Sequence, residues 1–397
     1  MRKKRAPIFI MLLLVCILAT WIRIPAKAAT NYKITPNTKP CISEFMNYHN
    51  YNNKTKHYYV LRSYLETLEK EGGGTLTLGK GKYVITNTLY VPSNVTLVFS
   101  NGVTIQKGAK TNVSDMPASS AIFQLIRPSN SNKSGVYGKY NGDKNIQFIG
   151  KGKVVFDMKY YEDGIGIIMG HNQNVKVKNI TFQNMHSGHF IEMDASKKVV
   201  IDRCKFQNYK ESPGGNKEAI NLDTPDKTTN GWSQKWSKYD CTANNTVTIK
   251  NCTFRNLERA VGTHRYSLDS YHTDVTIENN TVEGVRSGFF GLNWKNPIIK
   301  NNHIKNANAV GNTGDGDGVF LAGVTNPDIQ DNLFQDCTLA IDIRKTYYTS
   351  HDGPDKAILS SLDSGFVELM SSNKVINTPT GVNIPDHQVV LLKDIKE

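Results

Sequence analysis

Apolar and polar residues alternate in short runs along most of this chain, and the runs recur in a fixed frame. An apolar-x-apolar pair is followed by two polar residues, a small or polar residue, and then x-aromatic-x-Asn. The clearest copies occupy residues 175–184, 199–208 and 247–256, a shorter one occupies 275–282, and degenerate copies follow at 298–306 and 329–334. Alternation with a period of two, broken by polar turns with no helical stretch between, predicts short strands. One copy alone cannot bury its apolar face. Coiling the copies so that successive strands stack in parallel at about 4.8 Å buries a single continuous core. The expected fold is therefore all-β, a parallel β-helix solenoid.

Within this frame Ile180, Cys204, Cys252, Asn280, Asn302 and Asn332 fall in one column, an inward ladder at a turn where asparagine side chains satisfy backbone groups. Cys204 and Cys252 become stacked neighbours. We expect packed thiols there, because adjacent parallel strands rarely offer disulfide geometry. The apolar spacing of Val60, Leu61, Tyr64, Leu65 and Leu68 predicts a helix over 58–70, stopped by Gly72-Gly73-Gly74, that caps the amino-terminal end. Coils are expected over about 75–345, with a long loop at 106–144. Residues 346–397 are less regular and are expected to cover the other end.

Each coil carries a further strand after the repeat. Aligning these by alternation matches residues 191–194, 220–223, 261–264 and 290–293. Their apolar members face inward, so Asp194, Asp223, His264 and Asn293 should stack in an outward column, with Glu192 and Asn221 beside them and Arg344 further along. Two aspartates one strand spacing apart raise the pKa of one and leave the other ionised. Glycoside hydrolysis needs such a pair, an acid to protonate the leaving oxygen and a carboxylate to activate water or attack carbon. The simpler alternative is a solvated polar ladder.

The loop after Asp223 holds Trp232 and Trp236, which in a polar loop would stack on sugar rings or pack on each other. Asp226, Arg265, Tyr266 and Lys295 are further candidates for substrate contact, the cations suiting the carboxylate of an acidic sugar. No dedicated metal site is expected, although Asp194, Asp223 and Asp226 together could hold Ca²⁺ if the enzyme were a lyase.

Composition adds a compartment. Arg2, Lys3, Lys4 and Arg5 precede an apolar run over 8–20, and Ala26-Lys27-Ala28 supplies a small-x-small cleavage pattern, so 1–28 reads as a signal peptide and 29–397 as one secreted domain. Removing its six basic residues lowers the net charge from +13 to +7. Scattered rather than clustered Lys and Arg fit an anionic polysaccharide and exclude a nucleic-acid partner. No later run is long enough to cross a membrane, and a monomer is expected. The five remaining cysteines, an odd number, cannot form a complete disulfide framework.

The opening coils, over 72–85, 93–97 and 102–105, resemble those of the pectin-lyase-like superfamily of right-handed parallel β-helix polysaccharide enzymes. The order of polar sites is similar to that of polygalacturonase-type glycoside hydrolases, whose motifs run Asn-Thr-Asp, Asp-Asp, Gly-His-Gly and Arg-Ile-Lys. The matching places here are Glu192-Met193-Asp194, Asn221-Leu222-Asp223, Gly262-Thr263-His264 and Asn293-Trp294-Lys295. The resemblance implies Asp194 and Asp223 as catalytic carboxylates, His264 as a supporting residue and Lys295 as a binder of substrate carboxylate. Because the neighbouring letters differ, it does not imply galacturonan as the substrate. Two other readings stay open. One is a polysaccharide lyase or uronate epimerase using His264, Tyr266, Arg265 or Lys295 as base. The other is a non-catalytic glycan-binding surface protein.

Overall fold

A computed structural model describes residues 30–213, 215–308, 316–348, 356–363, 365–384 and 390–395, so the signal segment 1–28 lies outside the described residues. Each coil contributes three strands. The first face stacks Asn31–Ile34, Gly74–Leu78, Val95–Phe99, Lys144–Gly150, Gln173–Lys178, Lys197–Asp202, Asn245–Lys250, His272–Glu278, Ile298–Lys300 and Asp328–Gln330, all parallel and in chain order. The second face includes Thr181–His186 and Lys205–Lys210, and the third His189–Asp194 and Glu218–Asp223. Strands Thr253–Gly262 and Thr281–Leu292 run unbroken from the second face into the third.

The register follows the repeat. Val175, Val199, Val247 and Val275 are paired in sequence, as are Phe156, Phe182, Phe206 and Phe254. The phenylalanine rings of 182, 206 and 254 stack at 4.9–5.1 Å, and each buried ring contributes about 1.5–3 kcal/mol of hydrophobic stabilisation. Polar letters of the repeat have a backbone reason. Asn179, Arg203, Asn251, Asn279, Asn301 and Asp331, each at the corner between first and second faces, have φ of 54–57°. Asparagine and aspartate tolerate this left-handed conformation best among residues with a side chain.

The expected ladder forms at that corner. Asn302 Oδ1 accepts from the backbone N–H and the amide of Asn280, both at 3.0 Å, and Asn332 Oδ1 does the same for Asn302 at 2.9 Å. Asn373 adds a further rung, accepting from Asn332. Cys204 and Cys252 continue the column as buried free thiols.

The cap helix spans Lys56–Glu71 and ends at Gly72 in the left-handed conformation. Three segments differ from expectation. The stretch expected to be a loop, 106–144, contains the third-face strand Ala121–Gln124, whose four residues are too few to show periodicity. Strand Asn31–Ile34 precedes the cap helix and pairs with Gly74–Leu78. Lys374–Ile376 stacks on Leu333–Gln335, so coiling persists beyond 345. No described helix is long and apolar enough to cross a membrane.

Candidate functional site

The third face carries the polar columns. Register pairs Ile168, Glu192, Asn221, Gly262, Phe290, Phe320 and Asp342 in succession, and Gly170, Asp194 and Asp223 in the parallel column. Ile191, Met193, Ile220 and Leu222 fill the core, which sends Glu192, Asp194, Asn221 and Asp223 outward as the alternation requires. Outward is not exposed here. Asp194 is fully buried and Asp223 is 3% exposed, because the loop 224–244 folds back over the face.

Two tryptophans anchor that loop. Trp232 and Trp236 meet edge to face at 5.3 Å and pack with Ile126, Tyr137 and Ile168. Both rings come so close to Gly170 that a Cβ there would sit 2.6 Å from each. Trp236 is a core residue of the loop, 1% exposed, with its indole N–H donated to Gln124. Packing on each other thus wins over sugar stacking for Trp236, whereas Trp232 also presents an edge to a cavity.

That cavity, about 320 Å³, is lined by Glu192, Asn221, Asp223, His264, Arg265 and Trp232 among the expected residues, and by His189 and Lys217, which the sequence reading missed. Asp194 is not among the lining residues. Neither of its carboxyl oxygens accepts from an N–H or hydroxyl donor among the described residues, and the Glu192 carboxyl stands beside it within hydrogen-bonding reach. Burial above all, then the charges of Glu192 and Asp223, holds its pKa well above the carboxylate range.

Glu192 and Asp223 differ in their partners. Asn221 Nδ2 donates to both oxygens of Glu192 at 3.1 Å, yet burial dominates and pushes its pKa up to about 7. Asp223 Oδ1 accepts the backbone N–H groups of His264 at 2.8 Å and Arg265 at 2.7 Å. Burial, then Glu192, raises its pKa as well, and the Arg265 N–H opposes the rise. Adjacent buried carboxyls cannot all be ionised, and the one that accepts two N–H groups is the one best suited to carry the charge.

Beneath the cavity lies a second polar layer. Glu218 is fully buried, with Oε1 2.9 Å from Arg259 Nη1 and Oε2 3.9 and 3.8 Å from Nδ1 of His189 and His264. His189 Nδ1 is 2.6 Å from the Glu218 carbonyl oxygen, a contact that needs the proton on Nδ1. Its Nε2 therefore offers a lone pair, 3.6 Å from Glu192 Oε2. Burial lowers the pKa of both histidines to about 3, so both are neutral near pH 7. Glu218 and His189 precede the aligned stretches of their strands. Their only signal in the sequence was polarity at positions where alternation breaks down at a corner.

The remaining candidates lie elsewhere. Asn293 was aligned one residue out of register. Gly262 pairs with Phe290, not Gly291, which puts Leu292 in the His264 column and leaves Asn293 at the following turn. Its buried amide donates to the carbonyls of Ser267 and Ser270. Lys295 pairs with Thr273 on the first face, around the corner from the cavity. Asp226 is buried as a loop cap, accepting from Ser267 Oγ and the Thr228 N–H. Arg344 reaches the expected column through Ala322 but is bound to Asp342 at 2.6 Å, away from the cavity. Tyr266 lines a second cavity beside the first. Among the described residues no group of three or more His, Cys, Asp or Glu side chains is arranged to hold a metal ion.

Residues 240–389 match the family described as right-handed beta helix region. Plasmin and fibronectin-binding protein A of Streptococcus pneumoniae (strain ATCC BAA-255 / R6) is 23% identical over 255 residues, covering 59% of this chain and 34% of that protein. The chain thus spans about a third of the length of this curated relative. The solved Streptococcus pneumoniae surface protein and adhesin PfbA superposes with a TM-score of 0.58 at 18% identity, over 81% of this chain and 86% of that one. Polygalacturonase from Erwinia carotovora ssp. carotovora superposes with a TM-score of 0.50 at 11% identity, over 94% and 98%. At these identities the likeness is one of fold. The chain has a right-handed parallel β-helix fold.

Proposed function

We propose that the protein is an extracellular glycoside hydrolase acting on an anionic polysaccharide, with Glu192 as general acid and Asp223 as the carboxylate that activates water or attacks carbon. The observation that carries this reading is that Glu192 and Asp223, on adjacent coils, line one cavity with different partners, one side-chain amide across Glu192 and two backbone N–H groups on one oxygen of Asp223. Burial keeps the proton on Glu192 up to about pH 7, and two backbone N–H groups stabilise charge on Asp223. Lys217 and Arg265, both lining the cavity, suit a carboxylate or sulfate of the sugar. The signal reading of 1–28 and the fold likeness to a surface adhesin both support an extracellular setting.

Proton abstraction is less well served. His264, with its pKa lowered to about 3, is a weak base. Tyr266 has its hydroxyl engaged with Thr346 and the Tyr347 carbonyl, and Lys295 sits on another face.

One specific observation favours a second reading, a binding surface without catalysis: the curated relative at 23% identity is by name a plasmin- and fibronectin-binding protein. A single experiment separates the two. Purified protein is incubated with uronate, sulfated and neutral polysaccharides while reducing ends and ultraviolet absorbance are followed, with Glu192→Gln alongside. New reducing ends without absorbance, lost in the variant, support hydrolysis. A rise in absorbance means elimination. Binding without turnover, unchanged in the variant, supports the adhesin reading.

A further inference from the structure

A second cavity, about 460 Å³, opens beside the first and shares Asn230, His264 and Arg265 with it. Its other walls are of a different kind. Tyr266, Tyr347 and Tyr348 line it together with Thr228, Thr229 and Leu292. Among the described residues no carboxylate lines it. The coil register gives its direction: Glu192, Asn221, the Gly262–His264 segment and Leu292 lie on four successive coils. From the Glu192 coil to the Leu292 coil is three strand spacings, roughly 14 Å along the solenoid axis.

The tyrosine wall is built rather than incidental. Tyr266, 7% exposed, donates its hydroxyl proton to the Tyr347 carbonyl at 3.0 Å and accepts from Thr346 Oγ1 at 2.9 Å, and so fixes the antiparallel pair Thr346–Tyr348 and Lys356–Ile358 against the coil. Tyr347 is left 51% exposed beside the cavity. Rigid aromatic bodies with polar tips, set among threonine hydroxyls and an asparagine amide, match a ring with one apolar face and a rim of hydroxyls.

We infer that this second cavity is a sugar-binding subsite, which takes the next residues of the same polysaccharide chain whose cleaved unit occupies the first cavity. The inference rests on the glycan reading of the first cavity. Arg265, lining both, lies where an anionic substituent passes from one to the other. The tyrosine-lined end takes pyranose faces, hydroxyl-rich and uncharged. The polymer then lies along the solenoid axis over the His264–Arg265 segment.

The test is the dependence of affinity on chain length. Uronate, sulfated and neutral oligosaccharides, each from disaccharide to octasaccharide, are titrated calorimetrically into Glu192→Gln protein and into the same protein carrying Tyr347→Ala or Tyr347→Phe. Affinity is expected to climb with length until both cavities are filled. Tyr347→Ala should weaken binding of the longest chains on the order of ten-fold, the worth of one aromatic contact, and leave the disaccharide unchanged. Tyr347→Phe should keep the climb. If short chains bind but length adds nothing, or if Tyr347→Ala weakens every length equally, the subsite is overturned and the reading of the first cavity stands. If no oligosaccharide of any length binds, both fall.

Discussion

The amide nitrogen of Asn221 lies 3.1 Å from each carboxyl oxygen of Glu192, so a single side chain on one coil orients the whole carboxyl group of the coil before it. The contact favours the ionised form and opposes the burial that pushes the Glu192 pKa up to about 7. If Glu192 must be protonated to act, hydrolysis should fall as pH rises through about 7. Asn221→Ala removes the opposing contact and should move that limb of the pH–rate profile to higher pH. A limb that stays in place would remove Glu192 from the role of acid.

Asp223→Asn tests the other carboxyl. The amide oxygen can still accept the N–H groups of His264 and Arg265, so the fold is expected to hold, with a melting temperature at neutral pH no lower than that of the unaltered protein, while turnover drops by about 100-fold or more. Circular-dichroism melting beside reducing-end kinetics separates the two effects. Loss of both would mean that Asp223 is a structural residue.

Stability should carry the mark of the buried carboxyls. Glu192, Asp194 and Asp223 all have folded pKa values above those of the unfolded chain. Their contribution is fully present below the ordinary carboxylate range, about pH 4, and is lost as pH rises through the folded values, about 7 for Glu192. The melting temperature should therefore decline between about pH 4 and 7. Asp194→Asn, which cannot ionise, should flatten that decline and raise the melting temperature at neutral pH. A flat profile in the unaltered protein would contradict the burial of these groups.

Asn302→Ala should be costly out of proportion to its size. It leaves the backbone N–H and amide of Asn280 without their acceptor and the Ile277 carbonyl without its donor. At about 1–3 kcal/mol for each buried unsatisfied group, a loss on the order of 3 kcal/mol or more is expected in urea unfolding.

Cys204 and Cys252 stack as buried free thiols, so the melting temperature should be the same with and without reductant. A fall on reduction would reveal a disulfide.

Much of this architecture was legible because the repeat serves two ends at once. Alternation at Val175, Val177 and Phe182 marks core positions, and asparagines at 179, 251, 279 and 301 mark the left-handed corners that set coil length. The slip at Asn293 arose where Thr281–Leu292 bends from the second face to the third without a break, and alternation alone cannot count residues through a corner. The carboxylate column was legible from parity. Its burial was not, since the cover depends on Trp232 and Trp236 meeting Ile126, Tyr137 and Ile168, contacts distant in the chain. His189 and Glu218 escaped notice because their neighbours decide their roles, and those neighbours come from other coils.

The asparagine ladder has one further property. Every rung faces the same way: its oxygen serves the coil before it, and its nitrogen donates both to a carbonyl of that coil and to the side-chain oxygen of the coil after it. Such a column has no internal reason to end, since each added coil presents the same demand to the next. It ends at Asn373, whose backbone N–H and amide both turn to the carbonyl of Met370, at the close of the short helix Phe366–Met370. That helix is thus a stop for the ladder as well as a cover for the core. The solenoid carries its own measure of length, and a chain cut between Asn332 and Asn373 would lose the terminus that makes the rungs behind it complete.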